Sequence, residues 1–114
     1  MDNYDDEVYK KAIDKWGINL QIIMMIEEMS ELTKVLTKWL RTQSHLLDIS
    51  IAEEIADVEV MLKQMKYFWL NQNLVDKIKQ EKIEKLKVML ENSKGEKTLS
   101  IEAKPLKDSS KKVE

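Results

Sequence analysis

The chain has 114 residues, 43% hydrophobic and 35% charged, with 19 basic and 21 acidic residues for a net charge of −2. That size predicts one domain with enough apolar material for a core, and the charge balance gives no basic surplus of the kind that nucleic-acid binding requires. Without cysteine there is no disulfide, thiolate metal site or Cys nucleophile. No apolar run reaches the roughly 18–20 residues of a membrane span, and the acidic start, MDNYDDEVYKK, is not a signal peptide. The expected location is therefore cytoplasmic.

Two glycines and one proline in a chain rich in Lys, Glu and Leu favour long helices over strands. Residues 5–16 read as a first helix, with Tyr9, Ile13 and Trp16 on one face. Gly17 stops it, and Asn19 is the expected cap of the next. Residues 20–41 read as a long second helix with a stripe of Leu20, Met24, Leu32, Val35, Leu36 and Trp39. A polar connection at 41–49 follows. Ser50 with Glu53 fits a capping box for a third helix, which runs to about Leu70 on a stripe of Ile51, Val58, Met61, Leu62, Met65, Phe68 and Trp69. Asn73 is the expected cap of a fourth helix reaching about Asn92, with Val75, Ile78, Ile83, Leu86, Met89 and Leu90 as its stripe. Residues 96–114 are rich in Lys, Ser and Glu and read as a flexible charged tail. The expectation is an all-α chain: an antiparallel helical bundle of about four helices over 1–95, followed by the tail.

One short pattern recurs, Glu-Glu-x-x-Glu at 27–31 and Glu-Glu-x-x-Asp at 53–57. Residues three or four apart share a helix face, so Glu28 neighbours Glu31, and Glu54 neighbours Asp57. Acidic residues on helices are usually solvated, but these interrupt apolar stripes. Glu28 projects among Met24, Leu32, Val35 and Trp39. Glu54 projects among Ile51, Val58, Met61 and Met65. Four carboxylates thus fall on the two faces expected to pack together. Unpaired buried carboxylates cost several kcal/mol each and repel one another. A divalent cation relieves both penalties, and an all-oxygen ligand set selects hard ions, Mg²⁺ first and Mn²⁺ next.

The paired motifs Glu28-Met-Ser-Glu31 and Glu54-Ile-Ala-Asp57, in the contexts KWGINLQIIMMIEEMSEL (15–32) and IAEEIADVEVML (51–62), resemble the MazG-like family of all-α nucleoside triphosphate pyrophosphohydrolases. The resemblance covers roughly residues 12–90. It implies Mg²⁺-dependent hydrolysis of a (d)NTP between the α and β phosphates, giving the monophosphate and pyrophosphate. It implies Mg²⁺ binding by Glu28, Glu31, Glu54 and Asp57. Glu27 is then the candidate to orient or deprotonate the attacking water. Glu53 is a weaker candidate, because the capping box already accounts for it. House-cleaning of nucleotide pools is the implied role, with dUTP, dCTP, abnormal nucleotides and phosphoribosyl-ATP as candidate substrates.

The fourth helix carries Lys79 and Lys82 within its stripe and Lys85 at its edge. These are candidate triphosphate contacts, or lysines that pack their stems and keep their heads in water. Lys82 matches a lysine of the family; where many relatives next place an arginine, this chain has Lys85. Gln21 lies two turns before Glu28 on the same face, where an amide can read a base or hold a water. Trp16 is a candidate to stack on a base or to fill the core. Ile22, Ile26, Met29 and Leu40 on the second helix, and Ile55 and Ala56 on the third, make those helices apolar on two sides. A homodimer or homotetramer is expected. The competing readings are a non-catalytic helical interaction module and a di-iron carboxylate bundle. The latter needs histidine ligands, and the chain has only His45.

Overall fold

The computed structural model describes residues 2–93. Among these residues four α-helices follow one another: α1 (Asp2–Trp16), α2 (Ile18–Thr42), α3 (Asp48–Trp69) and α4 (Gln72–Asn92), with a 3₁₀ turn at His45–Leu47. No strand occurs among the described residues. Among the described residues no helix is long and apolar enough to cross a membrane. The expected tail at 96–114 lies outside the described residues. The chain divides into two units, residues 1–75 and 76–114.

In the first unit α2 and α3 form an antiparallel hairpin across a five-residue connection, and α1 packs on both. The turns that separate these helices are made by backbone geometry. Gly17 has φ 85° and ψ 148°, a conformation that only glycine adopts without strain, and it accepts the first N–H of α2, from Gln21, at 3.2 Å. α2 ends at Gln43 in the left-handed region, φ 51°, where its N–H closes on the Trp39 carbonyl at 2.6 Å. Leu70 ends α3 in the same way, φ 51°.

None of the three expected caps acts as one. Asn19 lies inside the first turn of α2, which starts at Ile18. Asn73 lies inside the first turn of α4, which starts at Gln72. Ser50 lies inside α3, whose start at Asp48 follows directly from the 3₁₀ turn. The capping hydroxyl is that of Ser44, which accepts from the Leu46 N–H at 3.1 Å. The capping box of Ser50 and Glu53 is therefore absent.

The packed faces follow the helical period but are rotated from the expected stripes. On α2 the inward line is Gln21, Met25, Glu28, Leu32, Val35 and Trp39, while Leu20, Met24 and Leu36 are exposed. On α3 it is Ile51, Glu54, Val58, Met61, Gln64 and Met65; Leu62, Phe68 and Trp69 are exposed. Among the described residues the buried hydrophobic side chains are Tyr9, Met25 and Met61, and the buried polar ones are Gln21 and Gln64. Tyr9 meets Tyr67 of α3 with ring centroids 6.3 Å apart. Trp16 is not part of this core. It is exposed at the end of α1, with the Lys15 ammonium 5.4 Å from its ring centroid.

α4 is amphipathic by sequence, yet none of its residues is buried. Ile78, Ile83, Leu86, Met89 and Leu90 are all exposed. Its surface carries local polar pairs, Lys87 with Glu84 at 3.8 Å and Gln80 with Glu84 at 3.5 Å.

Candidate metal centre

The α2–α3 hairpin brings Glu28, Glu54 and Asp57 together, with one carboxylate oxygen from each lying within 4.8 Å of the others. Glu28 and Glu54 are half-buried and Asp57 is exposed. The trio forms because Glu28 occupies the inward line of α2 between Met25 and Leu32. Glu54 occupies that of α3 between Ile51 and Val58. Asp57 stands three residues on, one turn along the same helix. Glu31, the fourth carboxylate of the recurring pattern, is exposed one turn beyond Glu28 and acts electrostatically on both Glu28 and Glu54.

The electrostatics record the strain of this crowding. Partial burial pushes the Glu28 carboxyl above its ordinary range, and the negative charges of Asp57 and Glu54 add to it. A hydrogen bond with Asp57 that favours the protonated form and the charge of Glu31 contribute further. Glu54 is raised first by burial, then by Asp57, Glu31 and Glu53. Glu54 also keeps one oxygen, Oε1, out of solvent with no hydrogen-bond partner. A buried carboxylate oxygen without a donor is costly, and such an atom beside two further carboxylates is the environment that a hard cation neutralises. No lysine or arginine forms an ion pair with these three carboxylates within 4.0 Å among the described residues.

Glu27 and Glu53 are exposed, each flanking the inward carboxylate that follows it. With the capping box absent, Glu53 has no structural duty at the start of α3, and its charge is felt by Glu54. Gln21 is almost wholly buried, at 3% exposure, and its Nε2 donates to the Met24 Sδ at 3.9 Å. Trp16 presents an exposed ring. Lys79, Lys82 and Lys85 are exposed on α4, in the second unit.

Gln64 was not expected inside. It is 4% exposed and its Oε1 has no partner. Its position was readable: seven residues after Asp57, as Gln21 stands seven before Glu28. A separate cleft of about 300 Å³ opens between α1 and the end of α3, lined by Lys10, Ile13, Asp14, Tyr67, Phe68 and Leu70. The carboxylate cluster is not part of it. Lys10 and Asp14 form an exposed ion pair of 2.8 Å at its edge.

No family model matches the chain, and comparison with curated proteins and with solved structures finds no similar protein.

Proposed function

We infer that the chain is a Mg²⁺-dependent nucleoside triphosphate pyrophosphohydrolase that converts a (d)NTP to the monophosphate and pyrophosphate. One observation carries this reading: the convergence of Glu28, Glu54 and Asp57, with the Glu54 Oε1 buried and unpartnered. Its pattern in sequence is that of the MazG-like enzymes.

In this reading Glu28, Glu31, Glu54 and Asp57 hold Mg²⁺, with Mn²⁺ as a substitute. The residues fit the ion: they are oxygen donors only, two of them, Glu28 and Glu54, are partly desolvated, and Glu28, Glu54 and Asp57 lack positive partners among the described residues. Bound Mg²⁺ would neutralise phosphate oxygens and lower the pKa of a coordinated water. The chain's own part is positioning. α2 and α3 hold the carboxylates in a fixed frame. Glu27, exposed beside Glu28, is placed to accept a proton from the attacking water, and Glu53 is the second candidate. Gln21 and Trp16 are assigned to the base, and Lys79, Lys82 and Lys85 to the triphosphate. A homodimer or homotetramer goes with this assignment, supported by the apolar residues left exposed on α4 and by Ile26, Met29 and Leu40 of α2.

The test is pyrophosphate release from a panel of dNTPs with and without Mg²⁺, with dUTP, dCTP and phosphoribosyl-ATP included. Mg²⁺-dependent turnover of at least one member, abolished in Glu54→Gln, supports the assignment. Silence across the panel at micromolar enzyme refutes it and favours a non-catalytic helical interaction module.

A further inference from the structure

Each helix of the α2–α3 hairpin carries a second apolar line beside the one that packs. Ile22, Met29 and Leu36 each follow an inward residue of α2 by one position: Gln21, Glu28 and Val35. On α3, Ile55 and Leu62 follow Glu54 and Met61 in the same way. One position is a rotation of about 100° about the helix axis, in the same sense on both helices. Between antiparallel helices, equal rotations in the same sense point to the same side of the pair. The two lines therefore share one broad face of the hairpin. Met29, Leu36, Ile55 and Leu62 are 48%, 42%, 42% and 45% exposed there. Glu31 and Asp57 each stand three positions past an inward carboxylate, a rotation of about 60° in the opposite sense. The carboxylate cluster thus opens on the other broad face.

On α2 the apolar face carries no charge. All six charged residues of that helix, Glu27, Glu28, Glu31, Lys34, Lys38 and Arg41, project within a sector of about 140°. About 220° is left without charge, twice the roughly 100° that one packed face needs. Thr33 and Thr37 fall in that sector, and both hydroxyls already donate to main-chain carbonyls, of Met29 and Lys34, at 2.9 Å. Covering the face would strand neither.

A second copy of the chain fits this face. Its two lines are in step: Glu28 lies level with Glu54 and Asp57, so Met29 stands level with Ile55, and Ile22 with Leu62. A two-fold axis along the hairpin then lays the α2 line of each copy on the α3 line of the other, level for level, and closes the contact. From Ile22 to Leu40 the face is about 25 Å long, and two helices of about 10 Å each make it about 20 Å wide. Its flat footprint is about 500 Å² per copy, or about 1,000 Å² for the pair, the size that a specific contact needs. An uncharged α2 face also repels no copy of itself and gives a foreign partner no charge to select.

We propose that this face joins two copies of the chain about a two-fold axis, Met29 of each meeting Ile55 of the other, with both carboxylate clusters turned outward. The contact stands by itself; only the bearing of its outward clusters on cation binding rests on the metal-site reading above.

The test is sedimentation velocity of the full-length chain at micromolar concentration without metal. The parent is expected to be dimeric. Met29→Glu and Ile55→Lys, both at exposed positions, each weaken the dimer about a hundredfold. Mixed in equal amounts, M29E and I55K associate again, because their opposite charges meet across the contact. A monomeric parent overturns the proposal. So does a dimer that survives both substitutions, or a mixture of the two monomeric variants that stays monomeric. If circular dichroism shows either variant unfolded, Met29→Cys mixed with Ile55→Cys is read instead. The chain has no other cysteine, so a mixed disulfide on oxidation upholds the contact and its absence overturns it. Leu62→Lys, eight residues past Glu54, gives a monomer whose Mn²⁺ affinity per chain equals that of the parent dimer. A loss of about tenfold, the scale of a disturbed ligand surround, places the clusters in the contact and overturns the outward arrangement. A parent that pairs through this face and binds no Mn²⁺ upholds the contact and removes the metal reading alone.

Discussion

The α2–α3 hairpin and α4 break the ordinary division of inside and outside in opposite ways. The hairpin draws polar groups inward: Gln21 and Gln64 are buried, and Glu28 and Glu54 are partly so. α4 leaves its apolar stripe exposed, with Ile83 and Leu86 each 53% accessible. Burying charge is unfavourable unless something positive meets it, and exposing a continuous apolar stripe is unfavourable unless something apolar covers it. Each region is thus short of one kind of complement, a cation in one case and an apolar surface in the other. Neither shortage is visible from hydrophobic content alone, because both regions have the composition of common amphipathic helices.

Glu54→Gln acts hardest on the hairpin's half of this contrast. The amide keeps the shape and removes the charge, so turnover with Mg²⁺ should fall by at least about a hundredfold, while the metal-free protein becomes no less stable. Equal turnover in E54Q would falsify the metal assignment.

The same residue sets a pH signature. The Glu28 and Glu54 carboxyls are raised above their ordinary value of 4.5. A raised acid favours folding fully when protonated, below that ordinary value, and the benefit is lost as pH rises through the elevated values. Without metal, the thermal midpoint of the parent should therefore fall relative to Glu54→Gln between pH 4 and pH 7. Mg²⁺ should close the gap at pH 7. A gap that is constant with pH means that the carboxylate is not strained.

On α4, Ile83→Glu with Leu86→Glu tests whether the exposed stripe has a partner in another copy. Each buried residue of this kind contributes about 1.5 kcal/mol or more, so the pair should weaken self-association about a hundredfold, seen in sedimentation velocity. A parent that is monomeric at micromolar concentration would remove the expected oligomer at once.

Smaller effects sit at the turns that frame the hairpin. Gly17→Ala meets no atom within 4 Å, so its cost is backbone strain alone at φ 85°, about 2 kcal/mol by thermal unfolding. Gln43→Gly, at φ 51°, should stabilise by about 1 kcal/mol.

The helices and their faces were legible in sequence to the extent that hydrophobic period decides them. The end of α4 at Asn92 and the inward placing of Glu28 and Glu54 follow from spacing alone. The caps were not legible. Ser50 satisfies a capping pattern, yet α3 has no side-chain cap, because the 3₁₀ turn at His45–Leu47, itself capped by Ser44, feeds straight into α3 and moves its start three residues earlier, from Ile51 to Asp48. Leu20 and Trp16 fit a helical stripe but lie outside it, since a helix has room for only one packed line when few neighbours surround it. Gln64 escaped notice for the opposite reason. An amide on an apolar face reads as solvated, and only the packing of α3 shows Gln64 to be buried.

The short connection between Thr42 and Asp48 has a kinetic consequence. Glu28 and Asp57 are brought together by closing a loop of about thirty residues, most of it already helical, so the chain entropy lost is modest and their encounter should come early in collapse. The negative charges then gather before the remaining contacts of α1 have formed to oppose their repulsion. Divalent ions in solution should consequently speed refolding as well as stabilise the product, making the ion a participant in assembly of the fold.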